Sequence, residues 1–362
     1  MENKKINDIL KDNQELFLSI EENDILKNEI TGMLLNIESI IPEECRQNLY
    51  NNLSTLKFNL SKNEIGDSAL AGYDPKENIV YINPDYFNIL KDISGIDEND
   101  ERIRAFLETI YHELLHMAST TREEKSNYYC SGYVDKTENE KGELEYEREY
   151  ESLTEAFTEF LTNLTFKKRA YSSYGEFVNI LGNISNLVGL DEMKRAYFNN
   201  RNGMKIINKK LDALDKNSNH QILFDMIDSS YYSYIGSEYA TNEPSLLFGI
   251  ESKLLDMSNN KLEKERAEKS YSKDDIIKYW NRVREYINFP EVLEERGKDL
   301  SKYDGIEKIR EVYLKFKNSS LENVKSSFKK DLEGQVNDQV TIDENTSSKN
   351  QIGKISKDDL VI

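Results

Sequence analysis

The chemistry-bearing residues of this chain are concentrated in His112-Glu113-Leu114-Leu115-His116. An α-helix turns about 100° per residue, so positions four apart lie about 40° apart and one turn along, and two imidazoles placed that way can reach one metal ion. Glu113, beside the pair, can hold and deprotonate a water that the metal activates. The chemistry indicated is zinc-assisted hydrolysis. The plain alternative is a surface helix with incidental histidines, but the chain has only 3 histidines and two of them fall in this pattern.

Catalytic zinc takes three protein ligands and leaves a position open, and two histidines with one glutamate are an established set. The segment Leu153 to Leu161 supplies a candidate. Leu153, Ala156, Phe157, Phe160, Leu161 and Leu164 make one helical face, while Glu155 and Glu159 share another at i, i+4. Glu155 is the expected third ligand. Glu159, one turn on, can accept a hydrogen bond from the outer nitrogen of a liganding histidine, which fixes its tautomer and orientation.

These two segments together resemble the gluzincin class of zinc metallopeptidases, whose second helix carries Asn-Glu-x-x-Ser-Asp. Here the matching stretch is Thr154-Glu155-Ala156-Phe157-Thr158-Glu159. The ligand glutamate matches; the last acid is Glu rather than Asp, and Thr replaces both Asn and Ser. More closely, His112 to Met117, Ser131-Gly132-Tyr133 and Leu153 to Leu161 resemble uncharacterised metallopeptidase-like proteins of low-GC Gram-positive bacteria and their mobile elements. Those commonly show Leu-Asn-Glu-Gly-x-Thr-Glu, from which Thr154 and Ala156 depart. The resemblance spans residues 69 to 200, roughly. It implies a zincin-like fold, one Zn2+ ion and a peptide or protein substrate, with Glu113 as general base. It also implies a downstream histidine or tyrosine that stabilises the oxyanion, for which His220 and one of Tyr231, Tyr232 or Tyr234 are the candidates. The rival readings are a zincin scaffold kept as a binding module, with the metal structural or absent, and a zinc hydrolase acting on a non-protein amide.

The elements that must position these residues follow from periodicity. Asp97 or Asp100 can cap the metal helix, whose Ile103, Phe106, Leu107, Ile110, Leu114 and Met117 form an apolar stripe pointing well away from the histidines. Before it, Ala69 to Tyr73 and Ile79 to Asn83 flank a Pro- and Asn-containing turn and read as a hairpin, whose edge can take up a substrate strand. Residues 1–62 read as an N-terminal helical layer, broken at Pro42 and continuing through Leu49, Leu53 and Leu56. Residues 121 to 150 read as irregular and charged, with Ser131-Gly132-Tyr133 turning into a short strand. Further helices are expected over Phe177 to Val188, Leu190 to Phe198, Met204 to Leu214, Ile276 to Ile287 and Ile306 to Phe316. The expected class is α+β, predominantly α-helical, with the catalytic domain over 63–318 and a flexible tail over 319–362, where Asp343 to Gln351 has no apolar residue.

Composition narrows the function class. With 48 basic against 67 acidic residues the net charge is −19, which repels nucleic-acid phosphates and anionic lipid. Cys45 and Cys130 are too few for a disulfide framework and suit a reducing compartment. No apolar run approaches the ~20 residues of a membrane span, and the N-terminus has no signal-peptide core, so a cytoplasmic protein is expected.

Overall fold

The computed structural model describes residues 6–66, 69–91, 100–123, 128–138, 141, 144–148, 150–166, 174–199, 203–214, 220–235 and 243–286. It is mostly helical with two small sheets, an α+β arrangement. The chain divides into two compact units, one within residues 1–211 and one within 212–360.

The first unit opens with α1 (Ile6–Asp12), α2 (Asp24–Ile40) and α3 (Arg46–Leu53). The Asn23 side chain starts α2 by accepting from Leu26 N at 2.9 Å, and Pro42 lies just past its end. Leu26, Ile30, Met33, Leu34 and Ile37 bury one face. Helix α3 stops at Leu53, short of the expected Leu56. The chain then extends into β1 (Lys57–Leu60), which pairs in parallel with β3 (Ile79–Ile82). That strand ties the supposed helical layer of residues 1–62 into the sheet that follows.

The hairpin forms as read. Strand β2 (Ala71–Asp74) runs antiparallel to β3 with Tyr73 opposite Val80, and the order β1-β3-β2 leaves β2 at the edge. Asp74 Oδ1 accepts from the Lys76 and Glu77 amides, an Asx turn, and Asn78 takes a left-handed φ of 58°. After α4 (Pro84–Lys91) comes the metal helix α5 (Glu101–Ser119), capped by Asp100, whose side chain accepts from Arg102 N. Asp97 lies outside the described residues.

The stretch expected to be irregular is a four-stranded antiparallel meander, β4 (Thr121–Glu123), β5 (Tyr128–Ser131), β6 (Val134–Glu138) and β7 (Leu144–Arg148). Its charged sequence hid the strands, because strand pairing is made by the backbone. Helices α6 (Glu151–Thr165), α7 (Gly175–Val188), α8 (Leu190–Phe198) and α9 (Gly203–Asp212) follow. Gly189, at φ 101°, ends α7 and lets α8 begin at once.

In the second unit lie α10 (His220–Ile235), α11 (Glu243–Glu268) and α12 (Lys273–Arg284). Ser272 and Asp275 form a capping box at the start of α12, and Tyr279 donates to Ser258 O at 2.7 Å. The expected helix over 306–316 and the tail over 319–362 lie outside the described residues. Among the described residues no helix is long and apolar enough to cross a membrane.

Candidate metal centre

Helices α5 and α6 carry the site, and polar contacts at their ends fix them. At the C-terminus of α5 the buried Asn52 amide donates at 2.8 Å to Met117 O, which also accepts from Thr120 N, and at 2.5 Å to Thr120 O. On the opposite side Tyr111 donates to Asn36 Oδ1 at 2.6 Å and accepts from Thr165 at 3.0 Å, joining α2, α5 and α6. The apolar stripe expected on α5 is buried throughout, but so are Tyr111, Leu115 and Ala118. The histidines, on a side of the helix off the apolar stripe, are therefore buried as well. His112 is 8% and His116 9% exposed, because α6 covers that side.

Covering brings Glu155 across. His112 Nε2 lies 3.0 Å from His116 Nε2 and 3.2 Å from Glu155 Oε2, while His116 Nε2 lies 3.4 Å from Glu155 Oε1. A tetrahedral ion with bonds of about 2.0–2.1 Å holds its ligand atoms roughly 3.3 Å apart, so the three side chains fit one ion with little movement. Four lone-pair-bearing atoms facing one another at this range repel unless a cation, metal or proton, sits among them. Among the described residues these three form the group able to hold a metal.

Glu159 is buried at 3% exposure and places Oε2 3.4 Å from His112 Nδ1, so both nitrogens of that ring face carboxylates. Burial opposes a charge on His112, but the Glu155 and Glu159 oxygens outweigh it and raise the imidazole to about 10 in the metal-free chain. For Glu155, burial pushes upward and is outweighed by the two histidines, which hold the carboxyl far below the usual range. Glu113 moves the other way: burial raises it, against the pull of His112 and His116. The Tyr174 ring stacks beside His112, with centroids 6.5 Å apart.

Edge strand β2 meets the site at Glu113. Asn83 N donates to Leu70 O, so Gly72 and Asp74 turn their backbone groups to β3, and those of Ala71 and Tyr73 turn away from it. The Tyr73 backbone hydrogen-bonds to the Glu113 carboxyl. Arg122 braces this strand by donating to Tyr73 Oη at 2.6 Å and to Pro75 O at 2.5 Å.

The structure thus brings together His112, Glu113, His116, Glu155 and Glu159. His220 belongs to the second unit, where it begins α10, with Nδ1 3.1 Å from Asp212 Oδ1 and its ring edge-on to Phe224. Tyr231 is buried in that same unit, and the side chains of Tyr232 and Tyr234 lie outside the described residues. The departures at Thr154 and Thr158 have partners: Thr154 Oγ1 accepts from Tyr133 N at 2.9 Å, and Thr158 Oγ1 is 2.6 Å from Tyr197 Oη. Asn52 and Tyr197 were invisible in the sequence, since each reaches the site from a distant part of the chain, and Ser119 and Arg122, though near the metal helix, belong to no metal-ligand pattern. Compared with known proteins, the chain matches no family model, no curated protein and no solved structure.

Proposed function

We propose that the chain is a zinc-dependent peptidase of the gluzincin kind, with His112, His116 and Glu155 holding one Zn2+ and Glu113 acting as general base. The observation that carries this reading is the convergence of two imidazole nitrogens and one carboxylate at near-tetrahedral spacing, with a second carboxylate alongside. Imidazole with carboxylate suits zinc, and the three protein ligands found among the described residues match the pattern of catalytic sites, whereas structural zinc takes four. When bound, the ion supplies Lewis acidity, polarising a scissile carbonyl and lowering the pKa of water.

The chain's own residues do the rest. Glu113, raised by burial, is a stronger proton acceptor than an exposed glutamate; it takes a proton from the attacking water and hands it to the leaving amine nitrogen. Glu159 keeps the proton of His112 on Nδ1, so that Nε2 presents its lone pair to the ion. The outward backbone groups of β2 other than the Tyr73 amide, which Glu113 holds, offer an extended peptide a strand to pair with.

The test is cleavage of a peptide library by zinc-loaded wild type and Glu113→Gln, with bound metal measured in both. Cleavage lost in Glu113→Gln with stoichiometric zinc retained supports the reading. Zinc in both with no cleavage by either makes the chain a metal-bearing binding module, and turnover confined to non-peptide amides moves it to the other hydrolase class.

A further inference from the structure

We propose that Tyr197 is a positioning residue for the metal centre: its hydroxyl ties the helix bearing His112 and His116 to the helix bearing Glu155, and so sets the separation over which the three ligands close. The inference rests on the metal-binding part of the function proposed above and adds a residue outside the proposed ligand set.

Tyr197 lies on α8, fully buried, with its ring against Tyr133, Phe157 and Phe198. Its hydroxyl is 2.6 Å from Thr158 Oγ1 on α6 and also hydrogen-bonds to Ser119, the last residue of α5. Each partner is linked to a ligand. Ser119 Oγ donates to the carbonyl of His116 at 3.0 Å, and Thr158 Oγ1 donates to the carbonyl of Thr154, the neighbour of Glu155, at 2.8 Å. With one proton per hydroxyl, Tyr197 donates to one partner and accepts from the other, which turns its proton from its helix carbonyl to the phenol oxygen; the bridge Ser119–Tyr197–Thr158 then joins α5 to α6. Gly132 N adds a donor to Ser119 Oγ at 3.0 Å, and Tyr133 N one to Thr154 Oγ1 at 2.9 Å, so the β5–β6 turn clamps the same two helices.

The hydroxyl is not needed to satisfy either partner. Ser119 and Thr158 each have a carbonyl acceptor on their own helix, so a phenylalanine at position 197 would leave both with a hydrogen bond and the aromatic packing intact. What the phenol adds is a fixed length. A buried polar bridge specifies one spacing between two elements, whereas apolar packing tolerates small sliding. At this centre ligand atoms 3.0–3.4 Å apart must close on one ion, so sliding of a few tenths of an ångström matters.

The experiment titrates Co2+ and Zn2+ into the full chain as wild type, Tyr197→Phe, Thr158→Val and Thr158→Ser, reading affinity and the visible spectrum of the Co2+ form. Residues that act through a ligand typically shift metal affinity by about 10- to 100-fold. The expected result is affinity lower by about tenfold, with an altered Co2+ spectrum, in Tyr197→Phe and Thr158→Val, and near-wild-type behaviour in Thr158→Ser, which keeps the hydroxyl. Wild-type affinity and spectrum in both hydroxyl-deleting variants would overturn the inference and leave the proposed function standing. No metal uptake by wild type would overturn both. If Tyr197→Phe does not fold, the Thr158 pair decides alone.

Discussion

Glu155 and Glu159 hold the two nitrogens of His112 from opposite sides, at 3.2 Å on Nε2 and 3.4 Å on Nδ1. One carboxylate is placed to share a metal with the ring and the other to orient it, and without metal both favour a proton. Metal uptake therefore has to displace that proton. With His112 raised to about 10, affinity for zinc is expected to climb roughly tenfold per pH unit between pH 6.5 and 9 and to flatten near 10. Calorimetry in buffers of differing ionisation enthalpy would read the proton released, about one per ion. An affinity flat across that range would refute the coupling.

The same pair sets the stability of the metal-free chain. A histidine raised in the folded state contributes stability in full below about 6.5, its unfolded value, and that contribution is lost as pH rises through about 10. Glu155, held low, contributes above about 4.3 and loses its contribution only in strong acid. Thermal unfolding with chelator present should thus show the midpoint falling from pH 6.5 to 10. Saturating zinc should flatten that fall, since the metal replaces the proton.

Glu159 tests the orienting role separately from the liganding one. Glu159→Gln keeps an oxygen that can accept from Nδ1 but removes the charge, and Glu159→Ala removes both. Zinc affinity is expected to drop by about 10-fold in the first and nearer 100-fold in the second. Equal loss in the two would mean that charge alone matters, and no loss in either would mean that Tyr174 and the surrounding packing orient the ring unaided.

The ligands were legible because an i, i+4 pair on one helix is a local pattern, as with His112 and His116 or Glu155 and Glu159. The hairpin was legible for a similar reason, its turn chemistry lying between two β-prone runs. Strand β1 was not, since the four residues from Lys57 to Leu60 gain strand identity from parallel pairing with β3 some 20 residues later. Nor was the bridge formed by Ser119, Thr158 and Tyr197, which lie on three helices and share no period. The burial of the histidines was not legible because periodicity describes one helix at a time, and α6 covers the side away from the apolar stripe.

Asn52 is a second support, beside Asn36, that the N-terminal segment lends to the metal helix. Its amide closes two carbonyls at the end of α5, and Asn52→Ala would leave buried acceptors under-satisfied. A loss of about 1–3 kcal/mol is expected by denaturant unfolding, with the last turn of α5, which carries His116, exchanging its amides faster. Unchanged stability would show that water replaces the amide there.

Two glycines should respond oppositely to the same substitution. Gly132 has φ 58°, and a Cβ there would meet Thr154 Cγ2 and Tyr197 Cε2, each at 2.7 Å. Left-handed backbone costs an alanine roughly 1–2 kcal/mol, and forcing a methyl into packed side chains costs a further 1–3 kcal/mol or so. Gly132→Ala is therefore expected to destabilise by about 2–5 kcal/mol and, by pushing on Thr154 and Tyr197, to weaken zinc binding as well. Gly32, inside α2, has open space where its Cβ would go, and alanine there is expected to stabilise by about 0.5–1 kcal/mol without touching the metal. Urea unfolding of the two variants against wild type separates the cases by sign. A stable, tightly metal-binding Gly132→Ala chain would mean that the β5–β6 turn does not hold α5 and α6 at their working separation.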